Sequence, residues 1–518
     1  MSFADLWRRA ERAARWLSLR VPAGGSVAAI LTSVPGALAV LAGGWRAGLT
    51  VASVPAPARA VSLDEYQRQV EATCALVGAE VLLVDDIYLP WLQELCVQVV
   101  PFSACAANAG GRVDDTAGYF VQFTSGSTMA PRGVHLTLDA MAANVLAILD
   151  VLQPAPGDSA CSWLPLSHDM GLVGMCLTPW VANAPERAGS SELALIRTEA
   201  FVGRPTLWLS ACSELGATYT AAPNFAFDIA RRALATTGPI DLSRLRVCIT
   251  GGEPVQSRTL LAFEEATSPV GFSGTAFCPA YGMAEATLAV TMVQPGQRWN
   301  AVTVDPVALA GGRWEECANG RPIVAAGSPL PGMEVRIAAA EGNVGPIQIR
   351  GPSVAGSYVG ADLPFTPDGW LPTHDVGIIV NGELHVVGRV DDLLIVAGRN
   401  LYAHDIETVV AAITGVRPGN AVAIDAATGR YVVVAETLPG ADRARLAASI
   451  REALATALAT GPASVIFVRP RTLPKTSSGK IQRHRVRALY EANELATENV
   501  FSFTATTLCK DTSRVART

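Results

Sequence analysis

Short apolar runs alternate with helical segments through the first part of the chain. Val81–Val84 is an uninterrupted apolar run, and Leu245–Thr250 is a second, mostly apolar run that leads into two glycines. Strands of this kind are typical of parallel sheets that helices cover on both faces. The pattern therefore predicts an α/β body in which crossover helices connect parallel strands.

The pattern changes to short strands separated by turns from about Val335. Val344–Arg350 and Gly382–Val387 are such strands, and they predict a β-rich subdomain at the end of the α/β body. After Arg389 a small, compact α+β unit begins. Its predicted elements are helices Asp405–Ile413 and Ala441–Leu458 and strands near Ala421–Ile424, Tyr431–Ala435 and Ser464–Val468.

These changes divide the chain into a large N-terminal domain over residues 1–389, a small C-terminal domain over 390–495 and a polar tail over 496–518. A chain of 518 residues is too long for one ordinary core, so its length also requires at least two domains. The stretch from Phe501 to Thr518 is polar, and we expect it to be frayed.

The N-terminal region raises the question of a signal peptide or a membrane span. Met1–Leu19 has arginines among its apolar residues, so it predicts an amphipathic helix and not a signal peptide. Val27–Trp45 is uncharged, but Pro35 interrupts it. We predict a buried strand up to about Leu31, followed by a helix with Ser33 as its cap and Pro35 in its first turn, and therefore no membrane span.

Charge and cysteine usage exclude several classes of protein. The formal net charge of −6 gives no general attraction to nucleic acid or to anionic lipid. The ten cysteines lie far apart and include no Cys-x-x-Cys, so neither a disulfide framework nor a zinc site is predicted. A reducing cytoplasm fits this pattern best.

An apolar strand runs into a loop of hydroxyls and glycines within Tyr119–Val134. Thr124, Ser125, Ser127 and Thr128 can donate hydroxyl hydrogen bonds, while Gly126 and Gly133 let backbone N–H groups turn toward one anion. The loop is suited to holding phosphate, although turns of this composition also occur as ordinary surface loops.

A second segment, Pro279–Leu288, has a Tyr-Gly turn just before a carboxylate. Tyr281 can stack on a base, and Glu285 can hold a hard cation that bridges phosphate oxygens. The alternative is a helix start with an acid in its first turn, where the carboxylate favours the helix dipole.

Two further segments add an acid and a base. Asp375, in Trp370–Gly377, can accept both hydroxyls of a ribose, and Lys480 follows a flexible Ser-Ser-Gly that could swing it into a distant site. A solvated tail lysine is the alternative for Lys480.

In this order the four segments resemble those of the adenylate-forming superfamily of acyl-CoA synthetases, adenylation domains and luciferases. The closest resemblance is to fatty acyl-AMP ligases. It is carried by Ser162–Leu172, by Ala222–Asp228 and by the Ala-Glu-Ala-Thr-Leu form of the second motif, and it covers nearly the whole chain. The resemblance implies ATP-dependent conversion of a carboxylic acid to acyl-AMP with release of pyrophosphate, and then transfer of the acyl group to a phosphopantetheine thiol.

The resemblance also implies roles for individual residues. The loop Thr124-Ser125-Gly126-Ser127-Thr128 would take the β- and γ-phosphates, Glu285 would hold Mg²⁺, and Lys480 would reach the carboxylate and the α-phosphate. The adenine and ribose would be held by Gly252, Glu253, Pro254, Ala280, Tyr281, Gly282, Met283, Asp375 and Arg389. His168 would lie beside the substrate carboxylate, Asn224 and Phe225 would line the acyl tunnel, and Asp391 would be the hinge before the mobile C-terminal domain.

Two of these residues have structural alternatives. His168 could be a core histidine, and Asn224 could cap a helix. The chain also departs from the family pattern. Arg132 replaces the usual lysine of the phosphate loop, His374 stands where glycine is common before the ribose aspartate, and Pro346 replaces a common glutamate.

The chain also starts at a helix, from Phe3 to Leu6, that follows further strands in most relatives, so we expect one sheet edge to be covered differently.

The acceptor of the acyl group separates the remaining hypotheses. Thr291–Ile323 resembles the insertion that directs acyl groups to an acyl carrier protein and disfavours free coenzyme A. An acyl-CoA synthetase is the alternative enzyme, and a catalytically silent acyl-AMP-binding protein is the alternative from another class. Lys480, Glu285 and Asp375 are all present, which argues against the silent protein. The acid is expected to be fatty, or a bulky acid of secondary metabolism because Ala221, Ala222 and Ala226 are small.

Overall fold

The computed structural model describes residues 1–57, 61–92, 94–106, 111, 118–124, 132–183, 192–396, 399–426, 429–458, 460–476 and 479–503. The described residues form two compact units. The first contains the described residues up to Thr303 together with Arg321–Val387, and the second contains Val304–Gly320 and the described residues from Gly388 onward.

The strands of the first sheets, in chain order, are β1 (Ser26–Ala29), β2 (Thr50–Ser53), β3 (Val81–Val84), β4 (Gln98–Pro101), β5 (Tyr119–Thr124), β6 (Arg132–Thr137), β7 (Ser159–Ser162), β8 (Glu192–Leu195), β9 (Tyr219–Ala222), β10 (Val247–Thr250), β11 (Phe277–Gly282) and β12 (Ala289–Met292). They are followed by β13 (Ala301–Val304), β14 (Arg321–Val324), β15 (Ser328–Pro329), β16 (Glu334–Ile337), β17 (Gly345–Arg350), β18 (Ser357–Tyr358), β19 (Ala361–Asp362), β20 (Leu371–Val380) and β21 (Glu383–Arg389). The last strands are β22 (Leu393–Val396), β23 (Arg399–Tyr402), β24 (Val416–Asp425), β25 (Tyr431–Thr437), β26 (Ser464–Val468) and β27 (Thr497–Ser502).

The α-helices are α1 (Phe3–Ser18), α2 (Pro35–Arg46), α3 (Leu63–Val77), α4 (Leu89–Leu92), α5 (Leu138–Leu152), α6 (Thr178–Ala182), α7 (Thr198–Gly203), α8 (Thr206–Leu215), α9 (Asn224–Ala233), α10 (Ser257–Thr267), α11 (Pro306–Ala310), α12 (Ala403–Ala411), α13 (Arg443–Leu458) and α14 (Arg483–Glu491). A π-helix over Met170–Leu177 leads directly into α6.

One mixed sheet has the strand order β19-β18-β6-β5-β2-β1-β3-β4 within the described part of the chain. Its strands from β5 through β4 run parallel, whereas β6, β18 and β19 add antiparallel pairs at the other edge. Helix α1 begins with a capping box between Ser2 and Asp5 and packs on α2. The helices approach closely because Gly43 faces the Ala10 carbonyl, and a Cβ there would lie 2.8 Å from it.

A second sheet has the order β15-β12-β11-β10-β9-β7-β8, and its strands from β8 through β11 run parallel. Its core contains a group of aromatic rings in edge-to-face contact. Phe277, on β11, lies 5.2 Å from Phe227 and 5.1 Å from Phe272 between ring centroids. These two sheets and their helices confirm the predicted α/β body with parallel strands.

The β-rich part of the first unit is the antiparallel sheet β16-β17-β20-β21, which confirms the predicted change of pattern after Val335. In the second unit β24, β25, β26 and β27 form a four-stranded sheet with α12, α13 and α14, and β22 pairs with β23. No helix in the described ranges has the length and apolar character that crossing a membrane requires.

Several predicted elements differ from the structure. Helix α2 is preceded by Val34 in an extended conformation and has no side-chain cap, so the prediction of Ser33 as cap is wrong by one position. Pro35 sets the first turn because its φ is already helical. Helices α12 and α13 also begin at Ala403 and Arg443 instead of Asp405 and Ala441.

The predicted polar tail also differs at its start. Thr497–Ser502 forms strand β27, which pairs with β26, and the Phe501 ring lies 5.8 Å from that of Phe467. Apolar contact therefore keeps this stretch in the sheet. Val304–Gly320, expected in the large domain, belongs to the second unit, which begins again at Gly388.

We expect Phe277→Ala to lower the free energy of unfolding of the first unit by about 3–5 kcal/mol, because it removes a buried ring from a close-packed aromatic group. Leu261→Ala is the matched control, since Leu261 on α10 is 51% exposed. Denaturant unfolding of both variants measures the difference, and equal midpoints would contradict the assignment of this ring group to the core.

Candidate active site

The parallel strands β7, β9, β10 and β11 carry the predicted site segments at one edge of the second sheet. Because these strands are parallel neighbours, their carboxyl ends meet at that edge. The segments at these ends are the turn with His168 after β7, Asn224 and Phe225 after β9, Gly252, Glu253 and Pro254 after β10, and Ala280, Tyr281, Gly282 and Met283 at the end of β11.

The turn after β10 lies directly against β11. A Cβ on Gly251 would come within 2.5 Å of the Ala280 carbonyl oxygen, and Gly252 has a φ of +73°. Glycine is needed at position 251 for the close contact and at position 252 for the left-handed backbone. The structure therefore brings together the two segments that were expected on either side of the adenine.

The same turn is fastened to the predicted acyl-binding segment. Glu253 Oε1 accepts a hydrogen bond from the Phe225 backbone N–H at 2.7 Å, and Asn224 Oδ1 accepts one from Gln256 N–H at 3.0 Å. Pro223 occupies the cap position of α9, so the reading of Asn224 as a helix cap is wrong. Glu253 instead satisfies the free N–H at this helix start.

His168 lies in the turn between β7 and the π-helix, and its side chain is 22% exposed. The alternative of a buried core histidine is therefore wrong. Its Nδ1 lies 2.6 Å from Asp169 Oδ1. A hydrogen bond from β5 also holds this turn in place. Gln122 Nε2 donates to the Ser167 carbonyl at 2.7 Å.

The π-helix after this turn was not predicted, although π-helical segments often occur at functional sites. Thr178 Oγ1 donates to the Val173 carbonyl at 2.8 Å, five residues back, which matches the wider turn. Gly171 lets the helix start pass close to the Pro165 carbonyl, where a Cβ would overlap. Gly171 and Gly174 were the only features of this segment in the sequence that could have indicated an irregular helix.

Tyr281 and Asp375 are joined by a hydrogen bond although they are far apart in sequence. The Tyr281 hydroxyl donates to Asp375 Oδ2 at 2.7 Å, and Tyr281 is 9% exposed. A group expected on the base and a group expected on the ribose are therefore neighbours in the first unit.

Asp375 is displayed by a bulge in β20. Pro372 pairs with Gln348 and Val376 pairs with Pro346, so three residues of β20 stand opposite Ile347 alone. Thr373 Oγ1 donates to the Ile347 carbonyl at 3.0 Å and accepts from Asp375 N–H at 3.2 Å. Bulges of this kind redirect side chains beside functional sites.

Two departures from the family pattern lie at this bulge. His374 has a φ of +62°, the left-handed region in which glycine is favoured. Pro346 pairs with Val376 at the end of the bulge, a position in a sheet that tolerates a residue without an N–H. Both departures therefore concern the backbone that presents Asp375.

Glu285 lies in the 3-10 helix Ala284–Ala286, so this segment does place an acid in the first turn of a helix, although that helix is a single turn long. The turn ends at Thr287, which is buried with a φ of +68°. Thr287 Oγ1 donates to the Ser353 carbonyl at 2.8 Å, and Ala355 N–H donates to the Glu285 carbonyl at 2.8 Å. The segment after β17 thus holds this strained turn in place.

Tyr358 connects Glu285 with Arg132. Its hydroxyl donates to Glu285 Oε1 at 2.8 Å, and the Arg132 guanidinium carbon lies 5.7 Å from its ring centroid. Burial, and after it the Glu285 carboxylate, raises the pKa of Tyr358 to about 12, so the phenol stays a donor at neutral pH. Tyr358 was not among the predicted site residues.

The phosphate loop itself lies largely outside the described residues. Ser125, Gly126, Ser127 and Thr128 are among the residues that the structure leaves out. Thr124 ends β5, and its Oγ1 donates to the Arg132 carbonyl at 3.4 Å. Gly133, expected to help present backbone N–H groups, lies instead within β6, paired with Phe123.

Lys480 lies in the second unit in a hydrogen-bonded turn. Thr476 N–H donates to the Lys480 carbonyl at 2.8 Å, and Gln482 N–H donates to the Pro474 carbonyl at 2.9 Å. Lys480 is partly exposed, and these bonds distinguish it from a lysine in a solvated tail. Ser477 and Ser478 of the expected flexible stretch are outside the described residues.

Arg483, just after this turn, is the centre of a network of ionic hydrogen bonds. It binds Asp392 and donates to Glu407 Oε1 at 2.8 Å and to the Ala423 carbonyl at 3.1 Å. Burial alone would lower the pKa of Arg483, but the two carboxylates outweigh it and raise that pKa. Burial raises the pKa of Glu407 despite this arginine.

Arg389 ends β21, and Asp391 lies in the turn Val390–Asp392 that follows. Both belong to the second unit, as Lys480 does. Arg389, Asp391 and Lys480 are therefore described only within the second unit, whereas the other predicted site residues that the structure describes lie in the first unit.

The chain was compared with known proteins. A family model described as AMP-binding enzyme matches residues 1–359. This chain belongs to that family. It is therefore an adenylate-forming enzyme, and the predicted family is confirmed.

Relatives and solved structures agree with this assignment. A protein of Caulobacter vibrioides, provisionally named an acyl-CoA synthetase, is 34% identical over 86% of this chain and 82% of its own length. The long-chain-fatty-acid–AMP ligase FadD32 of Mycolicibacterium smegmatis is 31% identical over 73% of this chain and 69% of its own. A solved structure from work on fatty acyl-adenylate ligases of E. coli and L. pneumophila has a TM-score of 0.87 and 29% identity, and covers 95% of this chain and 93% of that one.

We expect His374→Gly to preserve the Michaelis constant for ATP and the stability, whereas His374→Val should lower the free energy of unfolding by about 1–2 kcal/mol. The reason is the left-handed φ at this position, which a β-branched residue tolerates poorly. Denaturant unfolding and ATP titration of both variants test this. If valine were tolerated as well as glycine, the bulge would not depend on this conformation.

Proposed function

We propose that the protein activates a fatty acid, or a bulky acid of secondary metabolism, and passes the acyl group to a phosphopantetheine thiol of an acyl carrier protein. A carboxylate oxygen attacks the α-phosphorus of ATP, the bond to the bridging oxygen breaks, and pyrophosphate leaves. The thiolate then attacks the acyl carbon, and AMP leaves with the electrons of the anhydride bond.

The observation that carries this proposal is the hydrogen bond between Tyr281 and Asp375. It joins a planar aromatic ring to a carboxylate at the end of a parallel sheet, where nucleotides bind in α/β folds. An aromatic face suits an adenine, and a carboxylate beside it suits the ribose hydroxyls. Arg389 is proposed to assist at the ribose.

Both reactants are anions, so neutralising their charge is the main chemical task. We assign the β- and γ-phosphates to the loop of residues 124–128 and the carboxylate and α-phosphate to Lys480. His168, partly exposed beside Asp169, is proposed to orient the substrate carboxylate. Little acid–base chemistry is required, in keeping with the residues proposed.

Mg²⁺ fits the proposed site through Glu285. Glu285 Oε1 accepts the Tyr358 hydrogen bond, and Oε2 has no hydrogen-bond partner among the described residues. No group of three or more His, Cys, Asp or Glu side chains suited to a metal occurs in those residues either. That suits Mg²⁺, which is commonly held by one or two carboxylates together with substrate phosphates and water. When bound, the ion would neutralise charge on the phosphate oxygens.

The acyl chain is proposed to lie along Asn224 and Phe225. The Phe225 ring is 6.4 Å from that of Trp163, which itself stacks on Phe201 at 3.8 Å. Ala222 and Ala226 beside them are fully buried, so small side chains border an aromatic wall. Such a wall supports an apolar acid as the substrate.

Coenzyme A is the second candidate acceptor, and the name of the Caulobacter relative favours it. The carrier protein is our choice because Thr291–Ile323 resembles the insertion that directs acyl groups to carrier proteins. Pyrophosphate release screened across carboxylic acids would identify the acid. Thioester formation with a holo carrier protein and with free coenzyme A would then separate the two acceptors, and faster reaction with coenzyme A would overturn our choice.

Lys480→Ala should reduce acid-dependent ATP–pyrophosphate exchange by about 10²–10³-fold, equivalent to about 2.7–4 kcal/mol, because one transition-state cation is lost. Lys475→Ala on the same turn is the control, since its ammonium donates to the Gly419 carbonyl at 2.9 Å. It should keep most of the exchange activity. Undiminished exchange in Lys480→Ala would remove this residue from the mechanism.

Glu285→Gln should raise the Mg²⁺ concentration for half-maximal pyrophosphate exchange by about tenfold or more, because a neutral oxygen is a weaker ligand for a hard cation. Glu264→Gln is the control on the same unit, since Glu264 pairs with Arg298. A parent-like response to Mg²⁺ would show that Glu285 has only a structural role.

A further inference from the structure

Tyr358 lies between two charged groups of the site, yet none of the motifs points to it. Its hydroxyl donates to Glu285 Oε1 at 2.8 Å, and the guanidinium of Arg132 lies over its ring. One side chain therefore contacts both the proposed ligand of the metal and the basic residue at the end of the phosphate loop.

The backbone of Tyr358 is fixed by the strand that follows the phosphate loop. In β18, Tyr358 pairs with Val134 of β6, and the next N–H, that of Val359, donates to the Gly133 carbonyl at 2.8 Å. A Cβ at Gly133 would lie 2.8 Å from Val121 Cγ1. Glycine therefore leaves room for the Val121 side chain, while the pairing of β18 with β6 fixes the backbone position of Tyr358.

The stretch from Ser353 to Tyr358 holds Glu285 by both backbone and side chain. The Ser353 carbonyl accepts from Thr287 Oγ1, and Ala355 N–H donates to the Glu285 carbonyl. The Tyr358 hydroxyl then fixes one oxygen of the carboxylate. A carboxylate held at Oε1 presents Oε2 in a defined direction, whereas a free glutamate samples several rotamers.

We propose that Tyr358 is a positioning residue that orients Glu285 toward phosphate-bound Mg²⁺ and links it to Arg132. This inference rests on the proposed function. It also accounts for the guanidinium at position 132, because a planar cation stacks on an aromatic ring more readily than an ammonium does.

The test is Tyr358→Phe, which removes only the hydroxyl. The Mg²⁺ concentration for half-maximal exchange should rise about threefold to tenfold, as expected for the loss of one hydrogen bond. The rate at saturating Mg²⁺ should stay within about twofold of the parent, because no reacting atom is touched. Tyr119→Phe is the control, since Tyr119 on β5 is 41% exposed.

A second readout does not depend on turnover. Calorimetric titration of the acid-free enzyme should show weaker binding of Mg-ATP to Tyr358→Phe by a similar factor, with binding of ATP in EDTA unchanged. A merely structural role would weaken both. In the Glu285→Gln background, Tyr358→Phe should add no further change in the Mg²⁺ response.

The outcomes separate the inference from the function on which it rests. If Glu285→Gln shifts the Mg²⁺ response and Tyr358→Phe does not, only the positioning role of Tyr358 is overturned. An effect of Tyr358→Phe that persists in the Glu285→Gln background would overturn it as well. If neither variant shifts the Mg²⁺ response, the assignment of Glu285 to Mg²⁺ is overturned, and the inference about Tyr358 is overturned with it.

Discussion

The site in the first unit depends on close backbone approach at the end of β11. Gly251 leaves room for the Ala280 carbonyl, and Gly282 leaves room for the Leu288 carbonyl, which a Cβ would overlap. Because neither glycine has a side chain, the β10 turn and the Glu285 turn can both lie against the end of β11, where Tyr281 is. An alanine at Gly251 would push β11 apart from the turn that carries Glu253, whose carboxylate accepts a hydrogen bond from the Phe225 N–H at the start of α9.

Two residues near this edge have strained backbone conformations. The short turn that carries Glu285 ends in a buried threonine with a positive φ, and Asp375 follows His374, a second residue with a positive φ, in the bulge of β20. Such conformations persist only where the surroundings stabilise them, and here hydroxyl groups of Thr287 and Thr373 bind nearby carbonyls. Local strain and local hydrogen bonds therefore occur together.

The sequence was sufficient to predict the parallel sheets and to locate the motif segments that follow their strands, because those signals are local. Tyr358 could not be found in this way, since its position depends on β18 pairing with β6, which lies far away in the chain. Gln122 was missed for the same reason, because the Ser167 carbonyl that it binds lies 45 residues away in the chain. The π-helix was missed although the two glycines in its segment were a local signal. His374 had left a signal, because a non-glycine residue at a glycine position already indicated an unusual backbone. The cap of α2 was misplaced because proline can start a helix without a side-chain cap.

In the second unit, the turn with Lys480 is closed by its own hydrogen bonds and is followed at once by Arg483, which binds Asp392 and Glu407. Breaking a buried network of this kind leaves an uncompensated charge, so it resists local opening. The turn that carries Lys480 is therefore attached to the second unit through Arg483.

The assignment of Val304–Gly320 to the second unit has a consequence for the connectivity of the enzyme. Besides passing from one unit to the other at Val387–Gly388, the chain does so at Thr303–Val304 and again at Gly320–Arg321. A fragment beginning at Gly388 would lack a part of its own fold. Within the described residues the two units are therefore not separable by one cut, and a pivot at Asp391 would also require the chain to bend at these two other connections.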